Sequence, residues 1–118
     1  MIKAVEEALK YLERLTKKFR EFASQEKNSE VKEKYLSRTQ FFGDTAFALM
    51  KKYNIGKEWF VFSIYKEMML LEESRGHYEK ALENASAALK LARTGEEKGV
   101  IEEKISLYKE ILPALLKK

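Results

Sequence analysis

The scarcity of residues that interrupt helices is the strongest constraint on how this chain folds. One proline and five glycines occur in 118 residues, and a β-sheet protein needs more turns than these can supply. Apolar residues instead recur at steps of three and four along almost every segment, which is the spacing of an amphipathic α-helix. The sequence therefore predicts an all-α fold in a single domain over residues 1–118, a length that leaves no room for a second ordinary domain.

Five antiparallel helices, in a bundle or a repeat-like array, account for this periodicity. Their predicted bounds are residues 2–25, 29–53, 57–75, 77–93 and 96–116. Asn28 lies in the stretch that should cap the second helix, and Gly56 can supply the positive φ of the turn that follows it. Gly43 lies inside that helix, where glycine costs about 1 kcal/mol relative to alanine. Either a close helix crossing or a local kink is expected there.

The first helix carries an apolar stripe and a basic stripe on opposite faces. The apolar stripe predicts the buried face and comprises Val5, Leu9, Leu12, Leu15, Phe19 and Phe22. The basic stripe comprises Lys3, Lys10, Arg14 and Lys17. Residues 1–55 hold 12 Lys or Arg against 8 Asp or Glu, whereas residues 56–118 hold 11 of each. The basic stripe is therefore a candidate surface for the phosphates of nucleic acid, and a solvated helix face is the alternative.

The third helix is apolar on more than one side, so it is expected at the centre of the fold or under a partner. Its main apolar side contains Phe60, Val61, Ile64, Tyr65, Met68 and Leu71. Trp59, Lys66 and Leu70 lie along a second line that projects among polar residues. Tryptophan is strongly enriched at interface hot spots. These three residues are candidates for partner binding, unless another helix of the same chain covers them.

The turn between the third and fourth helices carries a further motif. Residues 76–81, Gly-His-Tyr-Glu-Lys-Ala, followed by Ala85 and Ala88, resemble the inter-helix turn and second helix of a tetratricopeptide repeat. In that repeat the glycine closes the turn, the aromatic residue fills the wedge between helices, and the small residues permit close contact. Tyr65 and Met68 take the places of an aromatic residue and a leucine in its first helix.

The resemblance covers one repeat over residues 57–93, about a third of the chain, with the fifth helix as a cap. The Gly-x-Tyr-x-x-Ala spacing also resembles the microtubule-interacting and trafficking domain, which would span residues 59–118. Both families bind peptides or partner helices. The resemblance thus implies a non-enzymatic protein–protein interaction or scaffold domain, whose partner is another protein or a second copy of this chain. A small basic protein that binds nucleic acid is the alternative.

Residues that could perform catalysis are sparse. His77 is the only histidine and cysteine is absent, which argues against histidine-rich zinc sites, the Glu-x-x-His pairs of di-iron bundles and a cysteine nucleophile. A Ser-His-Asp triad would need Asp44, the only aspartate, beside His77. Carboxylate pairs such as Glu72 and Glu73 lie within charge-patterned helix faces. We expect no catalytic residue, metal site, cofactor or small-molecule substrate.

Composition also indicates where such a chain works. No apolar run approaches the roughly 18 residues of a membrane span, and acidic residues follow Met1 where a signal peptide would have its apolar core. Together with the absence of cysteine, these features predict a cytoplasmic protein that does not enter membranes. Glu and Lys number 18 each against one Asp, three Asn and two Gln, a bias that is typical of hyperthermophile proteins.

Overall fold

The structure, a computed structural model, describes residues 2–116. This part of the chain contains five α-helices and no β-strand, with the bounds α1 Lys3–Gln25, α2 Ser29–Lys52, α3 Trp59–Ser74, α4 Tyr78–Leu91 and α5 Gly95–Leu116. The all-α prediction is confirmed, and every helix end lies within two residues of its predicted position. Within the described residues, no helix combines the length and the apolar character that crossing a membrane requires.

The helices pack largely in chain order. Connections of three residues join α1 to α2, α3 to α4, and α4 to α5. The two helices of each pair pack against each other. Helix α3 also packs against both α1 and α2, and α5 packs chiefly against α4. The result measures 48 × 33 × 25 Å along its principal axes, which is longer in one direction than a closed bundle of five helices around one axis would be.

Helix α3 is the centre of the fold, because its side chains enter two apolar clusters. The first cluster joins α3 to α1 and α2 and takes Phe60, Ile64 and Leu71 from it. The second cluster joins α3 to α4 and α5 and takes Phe62 and Met69. The sequence predicts that α3 lies either at the centre of the fold or under a partner, and the structure shows the central position. Most of its apolar surface is covered by helices of the same chain.

The apolar face predicted for α1 is mostly covered, with Val5 and Leu12 half-buried against the first cluster, but most of the deeply buried residues lie to one side of it. The buried residues are Leu9, Glu13, Thr16 and Ala23, of which only Leu9 belongs to the predicted face. Phe22, predicted as buried, is 38% exposed, and it packs with Phe19 and Tyr35 in an aromatic group between α1 and α2. Helix α1 contacts two neighbours in different directions, and the side toward α3 is partly polar.

The α3–α4 turn has a hydrogen-bonding pattern that explains its glycine. Gly76 has a φ of 75°, and its amide donates to the carbonyl of Glu73 at 3.0 Å. The His77 amide donates to the carbonyl of Glu72 at 2.9 Å. These two bonds define a Schellman motif, in which the residue with positive φ is usually glycine because it has no Cβ.

The turn after α2 is of the same kind but uses a different residue from the predicted one. Asn54, rather than Gly56, adopts the positive φ, at 53°. The Ile55 amide donates to the Met50 carbonyl at 2.9 Å, and the Ile55 side chain is buried in the first cluster. A Schellman motif often places an apolar residue directly after its left-handed residue. Ile55 is that apolar residue, so the left-handed position falls on Asn54. The prediction that Gly56 has the positive φ is therefore wrong.

Local capping signals fix the starts of two helices. Asn28 Oδ1 accepts hydrogen bonds from the amides of Glu30 and Val31, at 3.0 and 3.1 Å, and caps α2 as predicted. At α5, Thr94 Oγ1 accepts from the Glu97 amide at 3.0 Å, and Glu97 Oε1 accepts from the Thr94 amide at 3.3 Å. This reciprocal pair is a capping box, and it begins α5 one residue before the predicted start.

Small residues allow two close helix contacts. On α4, Ala81, Ala85 and Ala88 are fully buried in the second cluster. On α2, a Cβ added to Gly43 would overlap Sδ of Met68, a residue of α3 that is 2% exposed. The side chain of Met68 therefore occupies the space beside Gly43, and this contact between α3 and α2 accounts for the glycine.

Gly43→Ala should lower the free energy of unfolding by about 1 kcal/mol. Overpacking a core costs about 1–3 kcal/mol, which exceeds the gain in helix propensity of about 1 kcal/mol. Gly99→Ala is the control, because a Cβ at Gly99 in α5 would meet nothing within 4 Å, and it should stabilise by about 0.5–1 kcal/mol. Urea unfolding measures both, and a stabilising Gly43→Ala would contradict a tightly packed Met68 beside Gly43.

Candidate partner-binding groove

A groove of about 600 Å³ lies between α1 and α3 and reaches the start of α5 at Glu97. Helix α1 lines it with Glu13, Arg14, Lys17, Lys18 and Glu21. Helix α3 lines it with Trp59, Phe62, Ser63, Lys66 and Glu67. Each helix contributes a segment of eight residue steps, or about 12 Å at 1.5 Å per residue. This α1–α3 groove brings together side chains that lie some 50 residues apart in sequence.

Two contacts between polar side chains join the helices along the groove. Ser63 Oγ donates to Glu13 Oε2 at 2.7 Å. Arg20 Nε donates to Glu67 Oε1, in a salt bridge between α1 and α3. Glu13 is 5% exposed and Glu67 is 3% exposed. Both carboxylates are thus buried between the helices, and each accepts the hydrogen bond that a buried polar group requires.

Glu67 is held in conflicting surroundings. Burial raises the pKa of its carboxyl above the ordinary value, and the hydrogen bond and charge of Arg20 act in the opposite direction. The charges of Lys66 and Lys17 also favour the ionised form of Glu67. The α1–α3 link at this point therefore depends on Arg20, without which the carboxylate would be buried with no hydrogen-bonding partner.

Trp59 is the most exposed aromatic residue of the groove. It is the first residue of α3, and 52% of its surface is exposed to solvent. Its ring packs edge-on against Phe60, with the ring centroids 5.7 Å apart. Phe60 is fully buried in the first cluster. One contact of Trp59 is thus fixed by the core, and half of its surface remains available to another molecule.

Four cations line the groove together with Trp59, namely Arg14, Lys17, Lys18 and Lys66. Within residues 2–116, none of them takes part in a salt bridge. Two of them rest near aromatic rings of α1, with the Arg14 guanidinium 5.9 Å from the Tyr11 ring centroid and Lys18 placed similarly. Arg14, Lys17 and Lys18 are exposed to solvent and Lys66 is half-buried, so most of this positive charge faces the solvent.

The structure brings together four of the seven predicted site residues. Trp59 and Lys66, predicted for partner binding, line the α1–α3 groove with Arg14 and Lys17 of the basic stripe. The two sets of candidates, which the sequence assigns to different functions, thus share one surface. The two sets lie side by side because α1 packs against α3.

The other three predicted residues lie elsewhere. Lys3 is exposed at the start of α1, and Lys10 pairs with Glu6 at 3.4 Å. Leu70 is half-buried against the second cluster, between α3, α4 and α5. Leu70 therefore does not continue the exposed surface of Trp59, because other helices of the same chain cover that end of the predicted line.

The groove also contains functional positions that the sequence patterns did not single out. Glu13 follows Leu9 by four residues and Glu67 follows Ile64 by three, so both carboxylates occupy positions on buried helix faces. A charge at such a position predicts a paired or hydrogen-bonded group. That signal identifies the polar links between helices, although it does not identify the partners Ser63 and Arg20.

Another buried carboxylate lies outside the groove, at the α3–α4 turn. Glu72 is 4% exposed, and its Oε2 has no hydrogen-bonding partner within residues 2–116. The Nδ1 atom of His77, whose side chain is 53% exposed, lies 3.5 Å from this oxygen. His77 is thus a solvent-facing residue of the turn whose ring lies beside a buried carboxylate.

No protein-family model matches this chain, and no curated protein or solved structure is significantly similar to it. In the part of the chain from residue 2 to residue 116, no group of three or more His, Asp or Glu side chains is arranged to hold a metal ion.

Proposed function

We propose that this chain is a non-enzymatic protein–protein interaction domain that holds a segment of its partner in the α1–α3 groove. The observation that carries the proposal is Trp59, which is 52% exposed at a groove of about 600 Å³. Covering apolar surface releases free energy in water. Tryptophan in particular provides a large rigid contact area and is enriched among residues that dominate binding energy.

The resemblance of residues 57–93 to a tetratricopeptide repeat supports this proposal. Stacked helix pairs create extended concave binding surfaces. The groove takes its lining from α1, α3 and the start of α5, which are the first helices of successive pairs along the chain. The Gly76 turn and the buried Ala81 and Ala88 of α4 agree with the resemblance of residues 76–88 to that repeat.

The carboxylates of the groove favour a binding role over a catalytic one. Glu13 accepts a hydrogen bond from Ser63, and Glu67 is paired with Arg20. Glu97 Oε1 accepts from the amides of Arg93 and Thr94 at the start of α5. These three side chains hold the helices in place, and a carboxylate that fixes structure is poorly placed to exchange protons with a substrate.

Selection from a displayed library of random peptides tests the proposed function. Peptides of about ten residues are long enough to span a groove of about 12 Å. We expect the wild-type domain to enrich binders, and Trp59→Ala to weaken them by about 2 kcal/mol, or roughly 30-fold. Phe41→Ala is the matched control, because Phe41 on α2 is 65% exposed and lies outside the groove. Equal binding to all three proteins would contradict the proposal.

A second copy of the chain is one form that the partner can take. Sedimentation at several concentrations distinguishes this case. A dimer that Trp59→Ala converts into a folded monomer, with unchanged helical circular dichroism, would identify the partner as another copy. A wild-type monomer that still binds selected peptides would assign the groove to a different protein.

Nucleic acid is a second candidate partner, because Arg14 and Lys17 share the groove with Trp59. Cations beside an exposed aromatic residue are the combination that binds single strands. Retention on DNA that falls steeply with salt, and that is lost on Arg14→Glu and Lys17→Glu, would favour this function. Lys10→Glu is the control, since Lys10 is paired with Glu6 and should matter little.

A further inference from the structure

The charges around the α1–α3 groove are balanced in number but not in accessibility. Four cations and four carboxylates line it. The cations Arg14, Lys17, Lys18 and Lys66 have no salt-bridge partner among residues 2–116. A molecule that enters the groove therefore meets four positive side chains that no carboxylate of this part of the chain holds at salt-bridge distance.

The carboxylates are much less available. Glu13 and Glu67 are buried and engaged between α1 and α3, and Glu97 is engaged by backbone amides at the start of α5. Glu21, which is half-buried, is the remaining acidic residue of the lining. The charged side chains of the lining that are most exposed are thus the cations Arg14, Lys17 and Lys18, although the formal charges of the lining sum to zero.

We propose that the partner segment in the groove is acidic and places an apolar side chain against Trp59; this inference rests on the proposed function. Carboxylates of the segment pair with Arg14, Lys17 and Lys66, and its apolar residue covers the exposed half of the tryptophan ring. The length of the groove, about 12 Å, accommodates about four residues of extended chain or about eight residues of helix.

Charge complementarity favours an acidic protein segment over nucleic acid as the occupant. A nucleic acid backbone carries phosphates at closely spaced intervals, and in this groove some of them would lie against Glu21, the carboxylate of the lining that no hydrogen bond or salt bridge engages within the described residues. A peptide can place carboxylates only opposite the cations. In addition, Lys10 is paired with Glu6 and Glu7, so the basic stripe of α1 is partly neutralised just beyond the groove, where a longer nucleic acid would continue.

The test uses the peptides that the random library selects, together with Trp59 fluorescence. Trp59 is the only tryptophan of the chain, so its emission reports occupancy of the groove directly. We expect the selected peptides to be enriched in Asp and Glu, and to shift Trp59 emission to shorter wavelength. Replacing their acidic residues by Asn and Gln should weaken binding at least about tenfold, and raising NaCl should weaken binding of the acidic peptides.

Charge reversal on the protein provides the matched variants. Arg14→Glu and Lys66→Glu should each weaken the acidic peptides about tenfold or more. Lys34→Glu makes the same change in net charge at an exposed position of α2 outside the groove, and it should leave affinity within about twofold. Equal losses in all three variants would indicate a general effect of net charge and would overturn the inference.

The outcomes distinguish failure of the acidic-partner inference from failure of the proposed protein–protein interaction function. Selected peptides that depend on Trp59 but are neutral or basic would overturn the acidic partner and leave the interaction domain standing. If DNA shifted the emission of Trp59 and no peptide bound to the domain, both the acidic partner and the protein–protein interaction domain would be overturned in favour of nucleic-acid binding. If no selected peptide depended on Trp59, both the acidic partner and the proposed interaction domain would be overturned, and nucleic-acid binding would gain no support.

Discussion

Replacing Arg20 by methionine should lower the free energy of unfolding by about 2–4 kcal/mol near neutral pH, because it leaves the buried Glu67 carboxylate without its partner. Arg75→Met is the matched control, since the carboxylate paired with Arg75, that of Glu33, lies on a side chain that is 60% exposed, and the other partners of Arg75, Gln40 and Ser37, are uncharged. Exposed pairs contribute at most about 1 kcal/mol. Chemical unfolding of the two variants beside the wild type measures the difference, and equal losses would contradict a special role for Arg20.

The loss in Arg20→Met should also depend on pH. Burial raises the pKa of Glu67, so the folded state holds a proton at pH values where the unfolded chain has released it, and stability rises as the pH falls through that interval. Without Arg20 the pKa rises further and the interval widens. The penalty should therefore be smaller at about pH 5 than at about pH 7. A penalty that is constant over this range would show that Arg20 acts through packing alone.

A double variant separates the charge of this pair from its packing. Arg20→Met with Glu67→Met replaces both partners by apolar side chains of similar length. Such replacements are often neutral or stabilising, whereas removal of one partner is costly. We expect the double variant to recover most of the stability that Arg20→Met loses. Arg20 and Glu67 join α1 to α3 beside the groove. Peptide binding by the double variant therefore shows whether the groove requires the ion pair itself or only the contact between the two helices.

Tyr108→Ala should lower the free energy of unfolding by about 3–5 kcal/mol, since it removes a large buried ring from the second cluster. Tyr108 is fully buried, and its hydroxyl donates to Glu73 Oε1 at 2.7 Å. The Lys104 ammonium donates to the same carboxylate oxygen at 2.9 Å. This contact joins α5 to α3. Tyr108→Phe keeps the ring and should cost only about 1–1.5 kcal/mol, and equal losses in the two variants would contradict a packing role.

Tyr108 should also make the fold sensitive to alkali. Burial, together with the hydrogen bond to Glu73, raises the pKa of its hydroxyl above the ordinary value. The unfolded chain therefore releases this proton first, and the stability contribution that is present below about pH 10 is lost as the pH rises. Between about pH 10 and about pH 11, the wild type should lose more stability than Tyr108→Phe. Parallel pH profiles would contradict this linkage.

The positions of the helices followed from local signals in the sequence. Apolar periodicity and the few glycines place every helix end within two residues of the observed end, because capping and turn formation depend on residues adjacent in the chain. Asn28 and Gly76 act as predicted. The wrong assignment of Gly56 arose because the Schellman turn is set by where Ile55 enters the core, which local pattern does not reveal.

The candidate site was only partly predictable. Trp59 and Lys66 stood out because they interrupt the regular pattern of α3, and Arg14 and Lys17 because they lie on a basic face. Leu70 was grouped with Trp59 by helical spacing alone, and the structure places it against the second cluster. Helical spacing gives the direction of a side chain around its own axis, but it does not say which neighbouring helix lies in that direction.

The sequence by itself determined that the chain is all-α, where its helices begin and end, and that α3 is apolar on more than one side, since these properties depend on residues within a few positions of each other. Only the tertiary structure decided that α1 packs against α3 through Glu13 and Arg20, and hence that two separate sets of candidate residues line one groove. The physical reason is that the partners of Glu13 and Glu67 lie 50 and 47 residues away in the chain. A pairing over that distance depends on how the whole fold buries its surface.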